Sequence, residues 1–229
     1  MVNLKPLLDA TSSQWQANLC DMFARMHFIL GKHVDAFERE FAASMGAQSA
    51  VGVGTGTAAI ELCLRAAGLT KPTQQVLTSA LTSPFTALAI LSAGATPRFA
   101  DVDPDTLLLD PASAAERAGR KTAAIVPVHL YGQPCDLPRL SALARKLGAV
   151  LVQDACQAHG ARYGERPFTS FSPFVAYSFY PTKNLGCLGD GGAIVTDRAA
   201  IANRLKSLRD GGRHNDQVSR VVAINSRLD

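Results

Sequence analysis

Apolar residues between about positions 12 and 45 recur at helical spacing, with Phe37, Phe41 and Met45 as the clearest stripe and Gly46 as a stop. Two helices broken near Gly31 are expected there. The rhythm then changes to short apolar runs separated by helical stretches. Strands are predicted at 49–53, 75–78, 96–100, 123–128 and 149–153, the last ending on Asp154. Helices are predicted at 58–67, 85–92, 111–118 and 137–147. Further on, 174–180 and 193–196 read as strands around a glycine-rich loop, before a helix at 198–208. Alternation of this kind implies an α/β fold, a mostly parallel sheet with helices on both faces. Residues 210–224 read as a polar loop, and the chain closes on Asn225-Ser-Arg-Leu-Asp with no final element.

Composition narrows the class. At 229 residues and 47% hydrophobic, the chain can bury a sizeable core and reads as one large soluble domain. No apolar run reaches membrane-spanning length, and the first residues lack a signal-peptide layout, so a cytoplasmic protein without membrane contact is expected. Five cysteines without a Cys-x-x-Cys pair suggest neither a disulfide framework nor a thiolate metal site. The net charge of +4 is scattered until the last third, where arginines gather. Most of these read as a solvated helix face, and nothing marks a nucleic-acid surface.

Three weak signals carry the chemistry. Glycines 52, 54 and 56 sit at a strand-to-helix turn, where free N–H groups attract an anion such as a phosphate, with Thr55 and Thr57 as hydroxyl donors. No acidic residue follows about 20 positions on, and Gly-Lys-Ser/Thr is missing, so a single phosphate suits the turn better than a nucleotide. Asp154 closes an apolar strand, at the sheet end where ligands of open α/β folds sit. A half-buried carboxylate there needs a cationic partner such as a protonated pyridine nitrogen. Gln157 and His159 follow within reach of such a ring. Lys183 lies after an aromatic pair and a proline and before four glycines, surroundings that suit a Schiff-base amine. Taken singly, the glycines read as a turn, Asp154 as a cap, His159 as a packed ring and Lys183 as a solvated lysine. Together they match what a pyridoxal phosphate site requires.

The segments Pro127-Val-His-Leu-Tyr-Gly-Gln-Pro, Gln153-Asp-Ala-Cys-Gln-Ala-His-Gly-Ala, Ser178-Phe-Tyr-Pro-Thr-Lys-Asn-Leu-Gly and Gly189-Asp-Gly-Gly-Ala-Ile-Val-Thr closely resemble the sugar aminotransferases of the DegT/DnrJ/EryC1/StrS family. The resemblance implies the large domain of a fold-type I enzyme dependent on pyridoxal 5'-phosphate. It implies a helical segment over 1–30, the cofactor-binding domain over 31–209, and a substrate and dimer loop over 210–229 leading to a C-terminal small domain that this chain lacks. Lys183 would form the Schiff base, Asp154 would pair with the ring nitrogen, and Gln157 would lie near the ring hydroxyl. Gly56, Thr57 and Ser178 match the family's phosphate contacts, and Asn225 would reach the phosphate of a neighbouring subunit, implying a homodimer. Where the family often stacks an aromatic residue on the ring this chain has Ser83, so either Phe85 substitutes or the stacking is weaker. The implied reaction transfers an amino group from an amino acid, with glutamate as the usual donor, to a keto-sugar carried on a nucleotide diphosphate. Arg209 and Arg213 are candidates to hold the diphosphate and His214 to touch the sugar. A cofactor-binding regulatory protein and an inactive fragment are the rival readings.

Overall fold

The structure, a computed structural model, describes residues 3–213 and 218–229. Its strands are β1 (Ser49–Val53), β2 (Gln75–Ser79), β3 (Thr96–Ala100), β4 (Thr122–Val126), β5 (Val150–Leu151), β6 (Gln153–Asp154), β7 (Val175–Ser178) and β8 (Gly192–Thr196). They form two four-stranded groups, β3-β2-β4-β5 and β1-β8-β7-β6. The expected single strand at 149–153 is interrupted at Val152, where it changes neighbours. The Val152 N–H donates to Ile125 O at 3.0 Å, and the Gln153 N–H donates to Phe174 O at 2.9 Å. That crossover joins the two groups and delivers Asp154 to the middle of the sheet's carboxyl edge. Pairing is parallel except around β8, which runs antiparallel to both β1 and β7.

Period-two side-chain alternation builds a core on each face of this sheet. Leu77, Ile125, Ala193 and Val195 point to one side and meet Phe41, Leu137 and Leu140. Val76, Ala124, Val126 and Ile194 point to the other and meet Ile60, Leu64, Ile90 and Leu205. The first layer is built by α2 (Lys32–Ser44), α5 (Pro111–Arg117) and α6 (Leu137–Leu147), the second by α3 (Gly56–Ala66), α4 (Pro84–Ala93) and α7 (Ala199–Arg209). Each fully buried aliphatic side chain contributes about 1.5–3 kcal/mol, so both layers are held chiefly by these contacts.

The N-terminal helix α1 (Lys5–Arg25) begins earlier than its apolar pattern suggests, with Pro6 in its first turn, and buries no residue. Asp21 ties it to α2, accepting from Arg25 Nε at 2.9 Å and approaching Lys32 Nζ at 2.7 Å and His33 Nε2 at 2.8 Å. Lys32, followed by Arg25 and His33, holds the Asp21 carboxyl well below the usual range. Among the described residues no helix is long and apolar enough to cross a membrane. None of the five cysteines is paired; Cys63 and Cys135 are buried, Cys156 and Cys187 half-buried and Cys20 exposed.

Candidate active site

Helix α3 starts two residues before the expected position, and this shift makes the glycine turn a true helix N-terminus. Thr55 is the cap, its Oγ1 accepting from the Ala58 N–H at 2.9 Å. The first internal bond is Ala59 N–H to Thr55 O, which leaves the Gly56 and Thr57 N–H groups to point outward. Glycine is required at 56 by close approach. A Cβ there would stand 2.5 Å from Ser178 Cβ and 3.0 Å from Cys156 Sγ. The helix end is thereby pressed against the end of β7, beside the Ser178 hydroxyl. Gly192 on β8 does the same from behind, since a Cβ would meet Thr55 O at 2.6 Å.

This helix end forms one wall of a cavity of about 470 Å³, a size suited to a small cofactor. Gly56, Thr57, Asp154, Gln157, Ser178 and Lys183 all line it, so six of the expected site residues converge. Asp154 is buried. Its Oδ2 accepts from the Thr86 hydroxyl at 2.8 Å, and its Oδ1 accepts from the Cys156 N–H at 3.1 Å. The Cys156 bond closes a turn, not a helix start, and each carboxylate oxygen keeps a lone pair free for a ligand. Burial, followed by the neighbouring Asp154, raises the Cys156 thiol well above its ordinary range, which keeps it protonated and inert.

Lys183 rides on a loop closed upon itself. Its N–H donates to Tyr180 O at 2.8 Å, and the Cys187 N–H reaches back to Phe179 O at 2.8 Å. Gly186 lies so close to Pro181 that a Cβ would fall 2.3 Å from its carbonyl oxygen. The lysine is half-buried rather than enclosed. Phe85 and Val128 supply apolar wall, and Ser83 borders the same cavity. Lys183, Thr182 and Gln157 also line a second, outer hollow of about 360 Å³, with Tyr131 and Asn184.

Other expected residues lie elsewhere. Arg209 is not at the cavity: its guanidinium is buried, ion-paired to Glu38, and donates to Gly52 O at 2.7 Å. A side chain so enclosed has no face for a diphosphate, so that expectation is corrected. Arg213 is half-buried and ion-paired to Asp210 at 2.5 Å. His214 lies outside the described residues. Asn225 is exposed, bridges to Asp210 and is not among the residues lining this chain's own cavity. The His159 ring packs on Tyr177 and Phe179, with centroids 5.4 and 5.8 Å away, and burial lowers its pKa. It does not line the cavity, as the packed-ring reading expects. Sequence reasoning missed Thr86, the partner of Asp154. It lies 68 positions earlier in an apolar helix, and no local pattern links the two.

The fold and cavity together define an α/β protein with a lysine, a buried carboxylate and a helix N-terminus around one cavity at the carboxyl edge of its sheet. The chain belongs to the DegT/DnrJ/EryC1/StrS aminotransferase family, whose model matches residues 11–229. It is 39% identical over 228 residues to the dTDP-3-amino-3,4,6-trideoxy-alpha-D-glucose transaminase of Streptomyces venezuelae, covering 100% of this chain and 60% of the relative. It is 39% identical over 230 residues to a pleiotropic regulatory protein of Geobacillus stearothermophilus, covering 98% of this chain and 62% of the relative. The crystal structure of S. venezuelae DesV with a ketimine intermediate superposes with a TM-score of 0.94 at 38% identity, over 99% of this chain and 61% of that one. The chain therefore spans about three-fifths of the length of these relatives.

Proposed function

We propose that the chain is the cofactor-binding part of a pyridoxal-phosphate-dependent aminotransferase that passes an amino group from glutamate to a nucleotide-linked keto-sugar. The observation that carries this reading is the convergence of Lys183, Asp154 and the α3 N-terminus on one cavity. The donor set fits the cofactor at three separate points. The Gly56 and Thr57 N–H groups, with the Thr57 and Ser178 hydroxyls, would hold its phosphate on the positive end of α3. Asp154, kept in place by Thr86 and the Cys156 N–H, would hold the proton on the ring nitrogen. Val128 and Phe85 supply apolar wall for a flat ring.

When bound, the cofactor supplies an electron sink for the carbon that exchanges its amine. Lys183 Nζ would anchor it covalently, then, once freed, take the proton from the donor's α-carbon and return it at the neighbouring position as general base and acid. Gln157 accepts the Tyr131 N–H through Oε1 at 2.8 Å. Its carboxamide N–H groups would then be the ones to meet the ring hydroxyl of the cofactor. The same reading includes a cytoplasmic homodimer in which Asn225 serves the neighbouring copy's phosphate. An α1 with no buried residue, and with Leu7, Leu19 and Phe23 exposed, supports a second copy as its cover.

The test is the absorbance of the purified chain with pyridoxal phosphate. A visible band from the Lys183 linkage is expected, then its loss on adding glutamate, and no band in Lys183→Ala. A Lys183→Ala protein that keeps the band sinks the assignment of the lysine. The printed name of the Geobacillus relative favours one second reading, a regulatory protein on the same scaffold. In that case the band forms and glutamate leaves it unchanged.

A further inference from the structure

We infer that Tyr131 is a specificity-determining residue, an exposed aromatic face that takes the sugar ring of the keto-sugar beside Lys183. The inference rests on the aminotransferase reading above. Lys183 borders two hollows, and only the inner one holds Gly56, Thr57 and Asp154. With the cofactor there, the outer hollow gives, among the described residues, a space along Lys183 from which a reacting carbon can approach. Tyr131 forms its far wall.

The backbone at this residue points to a functional reason for the side chain. Tyr131 has φ 56° and ψ 21°, the left-handed region that residues other than glycine enter only at a cost. Gly132 follows at φ 84°. A turn with two such positions would be most stable with glycine at both. The tyrosine gains nothing from burial, because it is 78% exposed, and its hydroxyl takes no hydrogen bond among the described residues.

The turn is nonetheless held firmly. Gln157 Oε1 accepts the Tyr131 N–H at 2.8 Å, the His129 N–H donates to Asp154 O at 3.0 Å, and the His129 ring beneath is fully buried. Backbone strain is therefore maintained to place a ring in solvent next to the candidate nucleophile. A flat aromatic face with a hydroxyl at its edge matches a pyranose, which offers C–H bonds on its faces and hydroxyls around its rim. It does not match glutamate, which is small and charged. Tyr131 is therefore assigned to the sugar half of the exchange and not to the amino-donor half.

The test compares wild type, Tyr131→Gly and Tyr131→Phe. Glycine removes the ring and accepts the turn geometry, so fold, cofactor uptake and the glutamate-driven loss of absorbance should stay within about twofold. Affinity for the product, a dTDP-linked amino sugar, which cannot react with protein loaded with pyridoxamine phosphate, should fall about tenfold or more by calorimetry, as for loss of an aromatic anchor. KM should rise with it, kcat should change little, and Tyr131→Phe should stay close to wild type. A Tyr131→Gly protein that binds the sugar nucleotide like wild type overturns the assignment of Tyr131 alone. So does one that fails to take up cofactor, since the residue would then be structural. Wild type that reacts with glutamate yet neither binds nor converts the sugar nucleotide overturns the keto-sugar reading and this inference with it.

Discussion

Arg209 shows how far one side chain's role depends on a distant partner. Glu38 on α2 is itself buried, accepting from the Gly52 N–H at 2.9 Å while ion-paired to Arg209, and Lys206 approaches it at 3.4 Å from the half-exposed surface. The pair clamps α2, β1 and α7 around one residue, Gly52, because Arg209 also donates to Gly52 O. Removing one member of a buried pair strands the other charge without its solvation, at a cost of about 3–5 kcal/mol. Arg209→Met is expected to lose stability on that scale, read from the denaturant midpoint. The pair replacement Glu38→Leu with Arg209→Met should recover part of the loss. If Arg209 instead held a diphosphate from an open position, the single change would leave the midpoint in place. The residues are 171 positions apart, so on α7 alone this arginine is indistinguishable from its solvated neighbours.

Elements were legible where a single face is buried and obscure where none or all are. Helix α6 is legible over its full span because Leu137, Leu140 and Ala144 make a clean inner stripe between Asp136 as cap and Gly148 as stop. Helix α1 is legible only in part because none of its residues is buried in this chain, so no stripe marks its first turns. The site was legible in its chemistry, through Lys183, Asp154 and the glycines, and not in its supports. The start of α3 at Gly56 instead of 58 decides whether two N–H groups face the cavity, and it is fixed by the Thr55 cap and by Ser178 contact. Gly56→Ala tests that contact. Its Cβ would overlap Ser178 Cβ at 2.5 Å, and relieving such an overlap costs about 1–3 kcal/mol. The helix end must move away from β7 to do so. A lower melting temperature and weaker uptake of pyridoxal phosphate are expected together, whereas an alanine protein with wild-type uptake would mean that the pressed geometry is not needed.

Across the whole molecule, the two groups of strands meet at a buried polar chain whose protonation couples stability to pH. His129 follows β4, Gln153 begins β6, and Phe168 lies in a short 3-10 turn beyond. His129 Nδ1 accepts from the Cys135 N–H at 3.1 Å, which makes Nε2 the donor to Gln153 Oε1 at 3.1 Å. Gln153 Nε2 then donates to Phe168 O at 2.8 Å, and the Phe168 ring lies 4.3 Å from the imidazole. Every polar atom has a partner only while the imidazole is neutral, because a proton on Nδ1 would face another donor. Burial, opposed weakly by the Gln153 bond, pushes the His129 pKa down from 6.5 to about 4. The unfolded chain therefore binds this proton at a higher pH than the folded one. Stability contributed by the site is full above about pH 6.5 and is lost as pH falls toward 4, about 3 kcal/mol over that window. The lowered pKa of His159, again from burial, acts in the same direction. The low-lying Asp21 carboxylate belongs to a more acid range and leaves this window alone. Unfolding midpoints measured between pH 4 and 8 should decline steeply below 6.5 in wild type, and the decline should be shallower in His129→Gln, which cannot take up the proton. A substituted protein with the wild-type slope would place the titrating group elsewhere.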